Sequence, residues 1–305
     1  MTMTKTDRNP LFAVIGGSGV YEFESLENRR WVRIESPFGV PSDDLLFGEV
    51  EGETLVFLPR HGRGHRIPPS GINYRANIDA LKRVGVSQVV SVSAVGSLRE
   101  QLHPGDFVIV DQFIDRTFAR AKTFFDAGVV AHVSMAHPVC SFLGDCLERA
   151  AHGLDVRVVR GGVYLVIEGP QFSSRAESHL YRQWGCDVIG MTNMPEAKLA
   201  REAELCYATL AMVTDYDCWH EDHEAVSVDK IVEVLRKNAE HACRLLVNLV
   251  DVLKRTGDAC TTHCRTALDN ALITAPNARD PEAVNRLDTV AGRILHRRAQ
   301  DSRVS

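Results

Sequence analysis

The sequence predicts an α/β fold: a single domain in which a central mixed β-sheet is surrounded by helices. The chain has 305 residues, of which 45% are hydrophobic, enough for a sizeable core. Short apolar runs with strand composition alternate with segments of helical periodicity, which indicates a sheet covered by helices. The composition changes after Lys254, so we predict a flexible N-terminus (1–10), one domain (11–253) and a C-terminal extension (254–305).

The strands and the shorter helices are predicted from their composition and from the turn residues that bound them. The predicted strands cover residues 11–15, 45–50, 54–58, 88–92, 106–110, 163–167, 188–190 and 205–213. The predicted helices cover residues 73–84, 142–151, 174–184 and 195–203. The first of these helices ends at Gly85, as a C-cap should.

A long amphipathic helix is predicted over residues 227–253, because apolar side chains recur there on one face. Residues 281–298 can form a further helix, with an apolar face made of Val284, Leu287, Val290, Ile294 and Leu295. We expect this C-terminal extension to be largely helical and to pack against the body of the protein or against a neighbouring subunit.

Charge and composition exclude several classes of partner. The formal net charge is −5 and the isoelectric point is near 6.2, so the chain as a whole has no basic footprint for nucleic acid. The N-terminus is polar, and the apolar stretch at 11–15 is too short for a signal core or a membrane span. We therefore expect a cytoplasmic protein with small-molecule ligands and no membrane or nucleic-acid partner.

The cysteines and histidines do not predict a metal site. Eight cysteines are scattered along the chain without a Cys-x-x-Cys pair, and we expect most of them to be buried free thiols. Cys260 and Cys264 are the closest pair, and a disulfide or metal role for them remains the weaker alternative. His220 and His223 are three residues apart rather than four, so they do not form a zinc-helix motif. We expect neither a metal nor a cofactor.

Three strand ends carry groups that suit an anion. Glycines at 16, 17 and 19 follow the first strand and would let backbone N–H groups approach a ligand, although a plain tight turn explains them equally well. Arg60 and His61 end another strand with a fork of donors and an imidazole. Ser93 follows a third apolar run. Inorganic phosphate fits this combination better than a structural arginine alone.

Two acids follow the last apolar run. Asp215 and Asp217 are two residues apart, and residues i and i+2 of an extended chain point the same way. An ionised carboxylate accepts hydrogen bonds and a protonated one also donates, so the pair can read a ring edge with an amino group and a ring nitrogen. Adenine has such an edge at N6 and N7. A solvated turn is the alternative interpretation of these acids.

Ordered motifs between residues 11 and 253 resemble a known family. They include Gly16-Gly-Ser-Gly-Val-Tyr, Pro59-Arg-His-Gly, Asn73-Tyr-Arg-Ala-Asn, Ala94-Val-Gly-Ser-Leu, Ile167-Glu-Gly-Pro-Gln-Phe, Met191-Thr-Asn-Met-Pro-Glu-Ala and Thr214-Asp-Tyr-Asp-Cys-Trp. The sequence is similar here to the 5′-methylthioadenosine phosphorylases, trimeric enzymes of the purine nucleoside phosphorylase superfamily. The resemblance implies a partly barrel-like sheet, a homotrimer or a dimer of trimers, and inorganic phosphate as a co-substrate beside the nucleoside.

The resemblance also implies roles for individual residues. The implied phosphate site consists of Ser18, Arg60, His61, Ser93, Ala94 and Thr192. Met191 is implied to lie under the ribose and Phe172 against the purine, while Asp215 and Asp217 face the base as the catalytic acids. Two positions depart from the frequent family residues, because Gln171 replaces an arginine and Gly190 an asparagine.

The methylthio end of the substrate needs an apolar pocket. Val228, Ile231 and Val232 are candidates for it, and helix packing explains these residues equally well. The resemblance implies that a neighbouring subunit supplies His132 to the same end. We expect phosphorolysis of 5′-methylthioadenosine to adenine and 5-methylthioribose 1-phosphate, with Asp215 as the general acid at N7 and Asp217 at N6.

Three alternatives to this function are considered. A purine nucleoside phosphorylase acting mainly on adenosine, inosine, guanosine or methylthioinosine would share the phosphate site, but a 6-oxopurine enzyme should have a neutral amide in place of the acids. A non-enzymatic purine-binding module would be expected to lose Arg60 and His61. A zinc hydrolase built on His220 and His223 does not have the required spacing.

Overall fold

The computed structural model describes residues 11–17, 25–220, 228–257 and 260–295, with the backbone alone for 228–232. Within these residues, eleven strands form one mixed sheet that helices cover on both faces. The strands are β1 (Phe12–Gly16), β2 (Glu27–Val32), β3 (Leu45–Val50), β4 (Glu53–Pro59), β5 (Gln88–Ser97), β6 (Phe107–Val110), β7 (Gln112–Asp115), β8 (Val158–Arg160), β9 (Val163–Val166), β10 (Val188–Gly190) and β11 (Cys206–Tyr216). The helices are α1 (Tyr74–Arg83), α2 (Ser141–Ala150), α3 (Arg175–Gln183), α4 (Asn193–Glu202), α5 (Val228–Thr256) and α6 (Pro281–Arg286). The predicted α/β fold class is confirmed.

The sheet forks at β5, its central strand. Along one side, β5 pairs with β11 in parallel over almost its whole length. Along the other side, it pairs with β1 only through residues 89–91, and then with the antiparallel β10 at Gly96 and Ser97. Residues 92–95 therefore have no partner strand on that side among the described residues, and the sheet is open there.

Two hydrophobic cores lie on opposite faces of the sheet. Strand β11 serves both, because its alternate side chains point to opposite faces: Tyr207 and Ala211 join one core, and Ala208 and Leu210 join the other. Helices α1 and α4 pack together on the first face, and α2 and α5 on the second. The sheet is thus held rigidly from both sides around the open stretch of β5.

Local sequence signals explain where the shorter helices begin. The Asn73 side chain accepts a hydrogen bond from the Ala76 N–H and caps α1, which Gly85 follows with a positive φ of 85°. A capping box of Ser174 and Glu177 begins α3. These ends agree with the sequence predictions to within one or two residues.

The C-terminal residues pack on the first core. Leu268, Leu287 and Val290 are buried there, and the described Ile294 and Leu295 side chains contact it. The helix predicted over 281–298 is interrupted. Helix α6 spans Pro281–Arg286, with Asp280 capping its start, and the chain then turns before residues 292–295 become helical again. Residues 296–298 of the predicted helix lie outside the described residues.

Several strands were missed or misjudged from the sequence. Strands β2, β7 and β8 were not predicted, because β2 carries exposed charged side chains and β7 and β8 are short. The strand predicted over 88–92 continues to Ser97, because β10 and β11 pair with its last residues. No helix in the described ranges is long and apolar enough to cross a membrane, and a cytoplasmic location stays a prediction.

Candidate active site

A cavity of about 1160 Å³ opens beside the unpaired stretch of β5. It lies where β1 and β10 diverge, so residues 92–96 of β5 form its floor. Of the residues predicted from the sequence, nine line this one cavity. They are Arg60, His61, Ser93, Ala94, Phe172, Met191, Thr192, Asp215 and Asp217.

Arg60 is held by a buried ion pair. Its Nε lies 2.9 Å from a carboxylate oxygen of Glu196, and both side chains are 2% exposed. Its Nη2 reaches the Ser91 hydroxyl at 2.6 Å, and its Nη1 donates to the Val92 carbonyl at 3.1 Å. Burial alone would lower the pKa of Arg60, but Glu196 raises it above its usual value. The guanidinium thus stays charged, and Nη1 keeps one N–H for a ligand.

His61 is neutral and oriented. Its Nδ1 lies 2.8 Å from the Ile67 carbonyl oxygen, which only accepts, so Nδ1 carries the proton. Burial and the nearby Arg60 charge lower the pKa of His61 to about 4. Nε2 therefore offers a lone pair, and His65 stacks on the ring at 4.2 Å between centroids.

Beside these two residues lie small and hydroxyl side chains. Ala94 is exposed on the floor, and the Ser93 hydroxyl lies 3.4 Å from the Tyr164 hydroxyl. Thr192 precedes α4 without using its side chain as a cap, and it lines the cavity. At Gly190, an added Cβ would lie only 2.1 Å from the Tyr164 hydroxyl oxygen. Tyr164 thus fills the space that a side chain at position 190 would need.

Asp215 and Asp217 line the same cavity away from Arg60. Asp215 lies inside β11 rather than after it, next to a register shift between Val213 and Asp215. Burial raises the pKa of Asp215 to about 6, although a hydrogen bond of 2.6 Å from the Thr214 hydroxyl lowers it. The charge of Asp217 adds to the rise. The raised pKa keeps Asp215 protonated to a higher pH than an ordinary aspartate, which makes it suited to donate a proton.

Asp217 has a carboxylate oxygen without a partner. Its Oδ2 is buried and makes no hydrogen bond with the described residues. Burial also raises the pKa of Asp217. The Ser178 hydroxyl opposes this rise, but it lies outside ordinary hydrogen-bond geometry. Because an unpaired buried acceptor costs about 1–3 kcal/mol, the site is suited to a ligand that brings a donor.

Apolar surface completes the cavity. Phe172 is 77% exposed and stands at its edge, and Met191 packs against Gly169. One face of α5 contributes Leu235, Ala239, Cys243 and Val247 at a spacing of four residues. This face was missed, because apolar residues at helical spacing are indistinguishable from core packing in a sequence.

Other predicted residues lie elsewhere or outside the described ranges. His132 is exposed and does not line the cavity of its own chain. Its N–H donates to the Ala271 carbonyl in the C-terminal extension. Ser18, His223 and the side chains of Val228, Ile231 and Val232 lie outside the described residues.

Glu196 and Tyr207 were not predicted as functional. The Tyr207 hydroxyl donates to Glu196 at 2.8 Å and helps to fix the carboxylate that holds Arg60. No sequence signal separates Glu196 from its neighbours, because Lys198, Arg201 and Glu202 make the same helix look polar. Within the described ranges, four cysteines lie close enough together to hold a metal ion, but they do not line the cavity.

Comparison with known proteins adds independent information. A family model described as the phosphorylase superfamily matches residues 11–251. The S-methyl-5′-thioadenosine phosphorylase of Rhodospirillum rubrum is 58% identical over 293 residues, covering 96% of this chain and all of the relative. That of Cereibacter sphaeroides is 59% identical, covering 93% of this chain and 98% of the relative.

Solved structures give the same picture. A methylthioadenosine phosphorylase from an Antarctic soil metagenomic library superimposes with a TM-score of 0.88 at 52% identity, covering 93% of this chain and 99% of the other. A mutant adenosine/methylthioadenosine phosphorylase from Schistosoma mansoni, in complex with adenine, has a TM-score of 0.78 at 35% identity. The match covers 87% of this chain and 98% of that one.

Proposed function

The chain belongs to the phosphorylase superfamily, and we propose that it cleaves 5′-methylthioadenosine with inorganic phosphate, giving adenine and 5-methylthioribose 1-phosphate. One observation carries the proposal. A single cavity has a charged arginine with a neutral histidine at one end, and two buried acids with raised pKa values at the other. Phosphorolysis of a purine nucleoside needs an anion site and a proton donor on opposite sides of the sugar.

The Arg60 end is suited to hold phosphate. Its remaining N–H can donate to a phosphate oxygen, while the neutral His61 Nε2 can accept from a protonated phosphate hydroxyl. Ser93, Thr192 and the exposed backbone at Ala94 add short polar contacts, and we assign Ser18 to the same site from its motif. Phosphate held here would face C1′ and stabilise the cationic sugar of the transition state.

The acid end is suited to the departing purine. Protonated Asp215 can donate to N7 as negative charge develops on the leaving base. The unpaired Oδ2 of Asp217 can accept from the N6 amino group, a donor that a 6-oxopurine lacks. Met191 and Phe172 supply apolar surface for the ribose and the base.

Adenosine is the second candidate substrate. The acid pair reads the base regardless of what the ribose carries at C5′, so the cavity itself favours 6-aminopurines rather than the methylthio group. The relative from Schistosoma mansoni is described as acting on both nucleosides. Identity above 50% to enzymes named for methylthioadenosine supports that nucleoside as the main substrate.

A three-substrate assay tests the function. Release of free base from methylthioadenosine, adenosine and inosine would be measured in parallel, with and without phosphate. We expect phosphate-dependent release with kcat/KM falling in that order. Release that is independent of phosphate would indicate a hydrolase, and faster cleavage of inosine would contradict the assigned base site.

We further propose that the active species is a homotrimer in which His132 reaches a neighbour's cavity. The support is that His132 is exposed, lies on a strand-like segment bridged to Leu272, and does not line its own cavity. A cyclic trimer closes such head-to-tail contacts with three equivalent interfaces.

Subunit exchange tests this assembly. Asp215→Asn and His132→Ala proteins would be mixed under exchange conditions and assayed with methylthioadenosine. A hybrid in which an Asp215→Asn chain donates its His132 to the cavity of a His132→Ala chain has a complete site, so activity should rise above the average of the parents. The matched control mixes Asp215→Asn with Asp217→Asn, because each cavity then keeps one lesion. Equal results in the two mixtures, or an active monomer in sedimentation, would refute a shared site.

A further inference from the structure

Four cysteines from distant parts of the sequence meet at one point below the sheet. Cys140 immediately precedes α2, Cys206 begins β11, and Cys260 and Cys264 belong to the C-terminal extension. Their four sulfur atoms all lie within 4.8 Å of one another. Cys140, Cys206 and Cys264 are at most 2% exposed, and Cys260 is partly exposed.

Backbone hydrogen bonds hold two of these four cysteines independently of the C-terminal extension. The Cys140 N–H donates to the Tyr207 carbonyl at 2.8 Å, and the Cys206 N–H donates to the Ser87 carbonyl at 2.9 Å. Both residues are therefore attached to the rigid centre of the sheet. The other two thiols belong to a short Cys-x-x-x-Cys segment of the C-terminal extension. The group therefore combines two cysteines held by the sheet with two from one loop.

The spacing of the sulfurs matches tetrahedral metal coordination. Zinc binds cysteine sulfur at about 2.3 Å, which places the sulfurs of a tetrahedral site about 3.8 Å apart. The Cys140 and Cys260 sulfurs are 3.7 Å apart, and none of the pairs exceeds 4.8 Å. A disulfide would instead bring one pair to about 2.0 Å and leave the remaining sulfurs without a common centre.

Donors surround the sulfurs as they do in metal sites. The Thr262 hydroxyl lies 3.4 Å from the Cys140 sulfur and 3.2 Å from that of Cys264. An Arg201 Nη1 donates to the Cys264 sulfur at 3.4 Å and to the Thr262 carbonyl at 3.3 Å. Hydrogen bonds of this kind orient thiolate ligands, and a guanidinium offsets part of their negative charge.

We propose that Cys140, Cys206, Cys260 and Cys264 bind one Zn²⁺ ion, which fastens the C-terminal extension to the sheet. On binding, the four thiols lose four protons and form four Zn–S bonds, and the oxidation state of sulfur and zinc does not change. All four ligands are protein side chains, so the site has no open position for a substrate, and the ion is structural. This site is separate from the cavity and adds to the proposed phosphorolysis rather than taking part in it.

Metal analysis of the full-length chain tests the site. The protein would be purified without chelator, reduced, supplied with Zn²⁺ and freed of excess, and its zinc content measured by plasma mass spectrometry. We expect about one zinc per chain, with four sulfur neighbours at about 2.3 Å in X-ray absorption spectra. Cys260→Ser and Cys264→Ser should each lose most of the zinc. Cys260→Ser should disturb the packing of the core least, because the Cys260 side chain is partly exposed.

Cys146→Ser is the matched control, since Cys146 is fully buried on α2 but lies outside the group. It should retain one zinc. Chelation of the wild type should also make the segment around residues 257–264 more sensitive to protease, and added Zn²⁺ should reverse this, whereas chelation should not change the Cys260→Ser protein.

Counting thiols distinguishes the remaining outcomes. In denaturant with chelator, a zinc site yields all eight thiols together with released metal. Fewer thiols and no metal would show disulfides, and failure of the reduced protein to take up zinc would then overturn the proposal. Eight thiols without zinc uptake would equally overturn it, leaving a packed cluster of free cysteines. Loss of zinc from Cys146→Ser as well would show that binding depends on fold integrity rather than on these four ligands.

Discussion

At one end of the cavity, Arg60 forms a buried ion pair with Glu196, whereas at the other end Asp215 and Asp217 have no cationic partner among the described residues. At the first end the charge is balanced without a ligand, because Glu196 pairs with the guanidinium within the protein. The second end keeps a buried carboxylate oxygen unpaired. In one cavity, the buried ion pair of Arg60 therefore stabilises the folded protein, whereas the buried acids at the other end destabilise it.

This difference suggests how the binding energy is arranged. A preformed anion site loses little on binding, because its side chains are already oriented. The acid end gains from a purine that brings the missing donor, and rejects a base that cannot provide one. Substitutions at the two ends should accordingly change stability in opposite directions.

The largest expected effect is at the Arg60 end. Arg60→Ala should lower the free energy of unfolding by about 3–5 kcal/mol, because it leaves the Glu196 carboxylate buried and unpaired. Urea unfolding would measure this. Arg255→Ala, which removes an exposed pair with Asp251 on α5, is the control and should cost less than about 1 kcal/mol. Equal losses for the two variants would contradict a structural role for the buried pair.

Asp215→Asn should reduce kcat by about 10²–10³-fold, because the amide cannot deliver a proton to N7. Single-turnover cleavage of methylthioadenosine would measure the chemical step. In the wild type, kcat/KM should fall as pH rises above about 6, where free Asp215 loses its proton. A flat profile from pH 5 to 8, or a variant with more than about a tenth of wild-type kcat, would remove Asp215 from the acid role.

The same substitution should stabilise the folded protein at neutral pH. The pKa of Asp215 is raised from 3.8 to about 6 on folding. The stabilisation that comes from protonating Asp215 is therefore fully present below pH 3.8, and it is lost as pH rises through 6. Above pH 6 the wild type carries this buried charge and Asp215→Asn does not. We expect the variant to gain roughly 1–3 kcal/mol at pH 7.5, with the gain shrinking as pH falls toward 4. A loss of stability at pH 7.5 would contradict the comparison between the two ends.

Asp217→Asn should change selectivity more than turnover. The amide introduced by Asp217→Asn can donate to a 6-oxo group, so the adenosine-to-inosine ratio of kcat/KM should fall roughly 5-fold to 150-fold. This change corresponds to about 1–3 kcal/mol of transition-state binding. Parallel assays with the two nucleosides would show this. Asp111→Asn, at an exposed position outside the cavity, should leave the ratio unchanged. An unaltered ratio in Asp217→Asn would place the N6 contact elsewhere.

His132→Ala should have the smallest effect. We expect kcat/KM for methylthioadenosine to fall by roughly 3-fold to 10-fold, or about 1 kcal/mol for a lost edge contact, while that for adenosine changes less. Steady-state kinetics on the trimer-sized fraction would measure both. A larger loss with adenosine than with methylthioadenosine would show that His132 does not contact the methylthio end.

Sequence reasoning anticipated the parts of the site that depend on local order. Arg60 and the acid pair follow apolar runs of sequence, and strand ends gather at the edges of a sheet, so their composition already pointed to a shared ligand site. The fold class was equally accessible, because the alternation of strand and helix patterns is local.

What depended on distant contacts could not be predicted. Glu196 lies 136 residues from Arg60, and nothing in the sequence marks it as the arginine's partner. The extension of β5 to Ser97 depends on pairing with β10 and β11. The α5 face of the cavity was hidden because its apolar side chains resemble core residues. The group of four cysteines was missed because Cys140 and Cys206 are far from Cys260 and Cys264 in the sequence and approach them only in the folded structure.

Gly190 and Tyr164 constrain the order in which this site can change during evolution. An added Cβ at Gly190 would lie 2.1 Å from the tyrosine hydroxyl oxygen and 2.8 Å from the ring carbon that bears it, so exchange for phenylalanine would not make room. A lineage that acquires a side chain at position 190 must therefore first replace Tyr164 by a much smaller residue, and in that intermediate a void replaces the buried ring. The two positions should accordingly change together among relatives, and grafting one of them alone between enzymes should fail where the pair succeeds.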